Sequence, residues 1–320
     1  MKAAPFAYAR PSTLDEAVAE LTRAGGEGKV LAGGQSLVPV LAMRLARPPV
    51  LVDINAVAGL SALDLDDGWL HVGATVRQQQ VEHGERAAAV PLLGLALPWV
   101  GHRELRSRGT VCGSLAHADP AAELPAVAVC LDATLEAAGP GGRRTLRARE
   151  FFAGAMTTRL EPDEVLVRAS FPVAGPGEGF GFAEFARRHG DFALAGVAVR
   201  VRSEPRQAVL AAFGVSDRPV LRDVTGLLDA VGDTAAGDTA AGDMDGAGDD
   251  VDRIAAALAG PLRELAGEIV DTGGDAHASA GYRRRLFAAL AARQLAVARV
   301  RAGAAPGPAG RRTPPPEGSQ

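Results

Sequence analysis

The sequence predicts an α+β protein of two or three domains, and three observations carry that prediction. A capped helix alternates with short strands over the first 54 residues. A Gly/Pro-rich stretch at residues 174–179 then marks a boundary, because such residues punctuate rather than extend regular structure,. Beyond it come three β-type runs followed by two helical ones. The length of 320 residues fits this division, since single domains cluster at roughly 100–150 residues,.

Thr13-Leu-Asp-Glu16 is a capping box, in which the hydroxyl accepts from an orphan N–H and the carboxylate reaches back,. Leu14, Ala17, Val18 and Leu21 recur at helical spacing, and Gly25-Gly26 ends the helix,. Residues 29–32 read as a short strand running into Gly33-Gly34-Gln35-Ser36. An apolar segment covers 37–45, and 50–54 reads as the next strand. Residues 70–74 are a strand, and Thr75 with Gln78 has cap spacing for a helix over 75–82,. Residues 90–100 are apolar but broken by Pro98. Residues 106–123 are the run richest in chemistry, and 124–131 continue it as a buried helix. Asp119 before Pro120 has the N-cap then N1 order,. Strands are expected at 133–138, 144–149 and 165–171.

After the boundary, 180–188, 196–202 and 207–215 read as a three-stranded antiparallel sheet, with helices at 251–266 and 278–301,. Residues 232–250 repeat the unit GDTAA, are acidic and small, and read as a disordered insert,. Asp243-Met-Asp-Gly246 echoes the start of a calcium loop, but position 254 is Ile where that loop needs a bidentate Glu,. The Pro-rich tail from 302 is expected to fray,.

Composition removes several function classes. The net charge is −4 and aromatics are 4%, so neither a basic nucleic-acid footprint nor a base-stacking platform is present,. Two cysteines, Cys112 and Cys130, are too few for a structural zinc or an iron–sulfur cluster, and they imply a reducing compartment, the cytoplasm,. The N-terminal residues lack an apolar core typical of a signal peptide, and no window of about 18 apolar residues suggests a membrane span,. His83, His102 and His189 have no metal-ligand spacing,.

Two glycine segments carry the chemistry. In residues 31–36 paired glycines let the chain bend sharply and expose successive N–H groups, a nest suited to an anion,. A plain strand-to-helix turn is the other reading. The segment is neither a Rossmann nor a P-loop, because G-x-G-x-x-G and Gly-Lys-Ser/Thr are missing,. Thr110-Val-Cys-Gly-Ser114 is a second loop of the same character, followed by Asp119 and Glu123. Those carboxylates suit ribose, ribityl or adenine donors, and Asp119 can equally be a cap. Arg106 and Arg108 either steer phosphate or face solvent, and His117 either touches a ligand or makes a structural hydrogen bond. Two anion-binding segments in separate lobes point to one diphosphate held between them, and so to a dinucleotide.

AGGQSLVP at 32–39 and RGTVCGSLAHADPAAELP at 108–125, with RRHGDFALA at 187–195 and DAHASAGYR at 275–283, resemble the FAD-binding subunits of molybdenum hydroxylases. That family includes the medium subunit of aerobic carbon monoxide dehydrogenase and the flavin domain of xanthine dehydrogenase. The resemblance covers roughly residues 1–300. It implies a two-lobed FAD domain of the vanillyl-alcohol-oxidase type, with lobes at 1–55 and 56–175, and a C-terminal α+β domain at 176–301. Leu31, Ala32, Gly33, Gly34, Gln35 and Ser36 would form one diphosphate loop, and Thr110, Cys112, Gly113 and Ser114 the other. His117, Asp119 and Glu123 would contact the cofactor, Leu166 would pack against a ring, and Asp191 and Phe192 would lie near the flavin. Cys112 stands where the family often has Gly, and Phe192 where relatives can have Tyr. A catalytic Cys112 is rejected, because the loop works through its backbone.

The implied role is electron transfer, with no catalytic side chain and no metal on this chain. A large molybdenum-cofactor subunit would oxidise substrate, a small [2Fe–2S] subunit would relay electrons, and FAD here would pass them to NAD, a quinone or another acceptor. The alternatives are a flavin-free scaffold subunit and a stand-alone flavin oxidoreductase. Carbon monoxide, an N-heterocycle, a purine and an aldehyde stay open as substrates.

Overall fold

The computed structural model describes residues 2–231 and 246–304. The first lobe alternates β1 (Ala7–Ala9), α1 (Leu14–Arg23), β2 (Lys29–Leu31), α2 (Leu37–Ala42) and β3 (Val50–Asp53). Its sheet is parallel in the order β1-β3-β2, which requires crossovers that α1 and α2 supply,. The capping box forms as expected: Glu16 N–H donates to Thr13 Oγ1 at 3.2 Å, and Thr13 N–H donates to Glu16 Oε2 at 3.1 Å. Ala17 and Leu21 are the buried face of α1.

The second lobe contains β4 (Leu63–Asp66), β5 (Trp69–Gly73), α3 (Gln78–His83), α4 (Pro91–Ala96), α5 (Arg103–Arg106), α6 (Val111–His117) and α7 (Glu123–Leu131). It continues with β6 (Thr134–Gly139), β7 (Gly142–Arg147), α8 (Ala148–Phe151), β8 (Phe152–Gly154), β9 (Thr157–Thr158) and β10 (Val165–Pro172). The main sheet is antiparallel in the order β4-β5-β10-β6-β7. Every residue of α7 is buried, as the unbroken apolar run 124–131 requires, and Glu123 is buried with it at the first position,. The helix lies between this lobe and the C-terminal sheet, touching β10, β12 and β13, the last two being C-terminal strands defined next.

The C-terminal unit has β11 (Glu178–Phe185), β12 (Ala195–Arg202), β13 (Gln207–Phe213), β14 (Val220–Asp223), α9 (Thr225–Val231), α10 (Gly246–Ile269) and α11 (Ala280–Gly303). Its sheet has four antiparallel strands, not three. The missed strand, β14, is a four-residue edge strand following Pro219, too short to show a period. The strands obey a period of two. Val209, Ala211 and Phe213 face the core shared with the second lobe, while Ala208, Leu210 and Ala212 face α10 and α11,.

Several expected boundaries move. The cap spacing at Thr75 is not used; α3 starts two residues later, where Arg77 N–H donates to Gln80 Oε1 at 2.7 Å. Asp119 does not cap α7. Its Oδ1 accepts from Ala121 N–H at 2.8 Å in a turn, and α7 begins at Glu123. Residues 246–250, placed in the insert by composition, begin α10, and α11 runs to Gly303 rather than fraying at 302. The remainder of the insert, 232–245, with most of the calcium-like segment, and the tail 305–320 lie outside the described residues.

Candidate functional site

The two glycine segments meet. β2 ends at Leu31 and the chain turns through Ala32–Ser36 into α2, with Gly34 in the left-handed region at φ +75°,. Gly33 lies against the second segment. A Cβ built there would sit 2.4 Å from the Arg108 carbonyl oxygen and 2.8 Å from the Gly109 Cα. Only a residue without a side chain permits that approach, so the backbones of two lobes touch at this point.

The second segment is not a loop, as its residue types suggest, but the start of α6. Thr110 is the N-cap; it bridges to Arg77, and its Oγ1 accepts from Gly113 N–H at 3.0 Å. The first N–H groups of a helix lack intrahelical acceptors, and here most are met locally. Val111 N–H donates to the Val76 carbonyl at 3.4 Å and Ser114 N–H to the Thr110 carbonyl at 3.2 Å, so what this segment offers the cleft is chiefly its hydroxyls.

Both segments line one cleft of about 1040 Å³ between the lobes and the C-terminal unit. Ala32, Gly33, Gly34, Gln35 and Ser36 form part of its wall, and Thr110, Cys112, Gly113 and Ser114 another. His117, Asp119, Glu123 and Leu166 continue the lining, and Asp191 and Phe192 reach it from the loop after β11. Leu31 is not among the lining residues; it is the end of β2, paired with Asp53.

Individual residues divide by environment. Glu123 is buried, and burial pushes its carboxyl up to about 7; Asp119 adds to the rise and Arg106 opposes it. Cys112 is buried and donates to the Val72 carbonyl at 3.4 Å, and burial pushes its thiol up to about 12. A thiol held protonated is a poor nucleophile, so this side chain packs. Phe192 is 73% exposed at the rim. Arg106 neither steers a ligand nor faces solvent. It is buried, grips Glu82 through Nε and Nη2 at 2.7 and 3.1 Å, and donates to the Val100 and Gly101 carbonyls. His189 packs edge-on to Trp99 and near His102, and no group of metal-binding side chains occurs among the described residues.

The cleft also has walls that the sequence did not reveal. Lys29 and Val30 face a segment contributed by Met156, Thr157, Thr158, Glu161 and Pro162, which shows no period in sequence. The approach is again close, with a Cβ at Gly26 lying 3.0 Å from Pro162 Cβ. Arg187 and His277 both line the cleft and hydrogen-bond to each other at 3.1 Å. The motifs containing them were visible, but not their pairing across 90 residues.

The family model for the FAD binding domain in molybdopterin dehydrogenase matches residues 4–174, the span that builds both glycine segments. The chain belongs to this family. Among the relatives of this FAD-binding chain is the caffeine dehydrogenase subunit beta of Pseudomonas sp. (strain CBB1), 39% identical over 225 residues, covering 69% of this chain and 76% of that one. The carbon monoxide dehydrogenase medium chain of Hydrogenophaga pseudoflava is 37% identical over 198 residues, covering 62% and 69%. The fold agrees over nearly the whole chain. A carbon monoxide dehydrogenase structure from Hydrogenophaga pseudoflava superposes with a TM-score of 0.78 at 28% identity, covering 94% of this chain and 99% of that one. Quinoline 2-oxidoreductase from Pseudomonas putida 86 gives 0.77 at 34% identity, covering 93% and 98%. The molybdopterin-dehydrogenase FAD domain thus accounts for the two-lobed cleft, and the cofactor of this family is FAD. Among the described residues no helix is long and apolar enough to cross a membrane.

Proposed function

We propose that this chain is the flavin-holding electron-transfer subunit of a molybdenum-dependent dehydrogenase in the cytoplasm. It would receive electrons from [2Fe–2S] clusters on a small partner and deliver them to an external acceptor, such as NAD or a quinone. A large partner with the molybdenum cofactor would oxidise the substrate. The observation that carries the reading is the backbone contact at Gly33, which joins two glycine segments from separate lobes along one cleft of dinucleotide size,.

The residues present fit FAD. A cradle that a Cβ would fill, the backbone N–H groups of the glycine turn at Gly33–Ser36 and hydroxyls at Ser36, Thr110 and Ser114 suit a diphosphate,. Asp119 and Glu123 supply acceptors for sugar or ribityl hydroxyls, while Leu166, Asp191 and Phe192 would border the rings. FAD, when bound, supplies the redox chemistry; the chain holds it, orients it and excludes water. The C-terminal unit contributes Arg187, Asp191, Phe192 and His277 to one side of the cleft, and the pair of lobes on the other side supports a FAD domain of the vanillyl-alcohol-oxidase type. The two cysteines leave the clusters to a partner.

Purification of the full chain tests the cofactor: the protein should carry oxidised-flavin absorption, or regain it on adding FAD. Co-expression with the neighbouring reading frames tests the subunit role. Substrate turnover should need a molybdenum chain and a cluster chain, and a lone chain with full turnover of an organic substrate would defeat it.

A further inference from the structure

Behind the glycine contact lies a polar clip built from Asn55 and Arg77. Asn55 follows β3 in the first lobe, and Arg77 precedes α3 in the second. Asn55 Nδ2 donates to the Ala32 carbonyl at 2.9 Å. Arg77 Nη1 donates to the Arg108 carbonyl at 2.7 Å, and Arg77 Nη2 donates to Asn55 Oδ1 at 2.7 Å. The chain of bonds therefore runs from the peptide that enters Gly33, through two side chains, to the carbonyl that Gly33 touches. Neither Asn55 nor Arg77 lines the cleft.

We propose that Asn55 and Arg77 are positioning residues that set the spacing and orientation of the two diphosphate-binding segments. This rests on the diphosphate reading of those segments. The physical argument starts from the peptide plane. In a trans peptide the C=O and N–H point in opposite directions. Asn55 holds the Ala32 oxygen toward the back of the segment, so the Gly33 N–H of the same peptide is turned away from Asn55. At the other end an uncompensated Arg108 carbonyl would repel an anion; Arg77 caps it and places a guanidinium behind the contact. A fork that donates to two acceptors in fixed directions does this, and a lysine cannot, because its single ammonium has no planar fork.

The clip is itself held. Asp53 Oδ1 accepts from Asn55 N–H at 2.9 Å and from its Nδ2 at 2.5 Å, while Tyr8 donates its hydroxyl to Asp53 Oδ2. Arg10 stands 3.9 Å from the same carboxylate. Burial works against the Asp53 charge, but these hydrogen bonds and Arg10 outweigh it and keep the carboxyl below its ordinary range. Asp53 is thus an acceptor that fixes which face of the Asn55 amide meets Ala32.

The experiment uses the full chain stripped of flavin, as R77K, R77M, N55A and the N55A/R77M double variant. Affinities for FAD, ADP and riboflavin are measured by fluorescence quenching and competition, with circular dichroism confirming the fold. R77M keeps the aliphatic stem, and R77K keeps the charge as well, so a folding failure in one leaves the other. The expected result is a tenfold or greater loss of FAD and ADP affinity in each single variant, R77K included. Riboflavin affinity should change less than twofold, and the double variant should be no worse than the weaker single, because the pair acts as one unit. Folded variants with FAD and ADP affinities within twofold of the parent would overturn the clip. So would an equal loss for riboflavin, which indicates general loosening, or losses that add in the double variant. A parent chain that binds FAD but not ADP would instead overturn the diphosphate reading itself.

Discussion

Replacing Gly33 with alanine tests the contact on which the site depends. The added Cβ would lie 2.4 Å from the Arg108 carbonyl oxygen, against an ordinary contact that begins at 3.4 Å. The two segments must therefore part by about 1 Å, and both obstructing groups, the Arg108 carbonyl and the Gly109 Cα, are backbone that cannot rotate aside. Overpacking of this kind costs about 1–3 kcal/mol. If that cost falls on the bound geometry, FAD affinity drops by roughly fivefold to somewhat over a hundredfold, since about 1.4 kcal/mol is a factor of ten. Gly113→Ala is the internal comparison. Its Cβ would meet Thr110 Oγ1 at 2.5 Å, a side chain that can turn away at the loss of one cap, worth about 1 kcal/mol,. Gly94→Ala in α4 meets nothing within 4 Å and should leave affinity unchanged. Titration of the flavin-stripped variants with FAD should rank the losses Gly33, Gly113, Gly94. A folded Gly33→Ala that binds FAD like the parent, or a larger loss at Gly113, would refute the reasoning.

Thr110→Ala removes the acceptor for the Gly113 N–H and should cost about 1 kcal/mol in denaturant unfolding, with Thr110→Ser retaining most of it,. The buried acids give a pH dependence. Glu184 is buried on β11, one of its oxygens lacks a hydrogen-bond partner, and burial, with Glu123 adding, pushes its carboxyl up to about 8. The folded chain then holds more protons than the unfolded chain between the ordinary carboxylate pKa and about 8, so stability falls as pH rises through that window and levels off above it,. Glu184→Gln should flatten that slope and stabilise the protein at pH 8 by a few kcal/mol at most; urea midpoints at several pH values would show it, and parallel slopes for variant and parent would count against a neutral Glu184. Cys112 should resist thiol reagents in the folded chain and react only on unfolding, and Cys112→Ala should keep FAD affinity; rapid modification of the native protein would contradict its burial,.

Local signals were legible wherever the chemistry is local. The Thr13–Glu16 box, the apolar run 124–131 of α7 and the alternating strands β12 and β13 form where their patterns place them, because capping and periodicity act over a few residues,. Short edge elements such as β14 were not legible, since four residues hold too little period to stand out from a turn. Thr75 and Asp119 had cap chemistry but cap no helix. The Gln78 N–H at cap spacing from Thr75 donates to the distant Gly109 carbonyl at 2.8 Å, and Asp119 Oδ1 accepts from Ala121 N–H in a local turn. Residue types at 110–114 showed hydroxyls and a glycine, yet not that the Arg77 bridge makes Thr110 a helix cap.

The sequence by itself determined that this protein carries two segments rich in glycine and hydroxyl side chains, a shortage of cysteine for clusters and a composition without a nucleic-acid footprint, for these depend only on residue identity. Only the tertiary structure decided that the segments share one cleft and that Gly33 is the point of contact. It also decided that Arg106 is a buried brace and that Asn55 and Arg77 join the two lobes. The physical reason is distance: hydrogen bonds and steric exclusion act over a few ångströms, and residues 33 and 108 become neighbours only once both lobes have folded and packed.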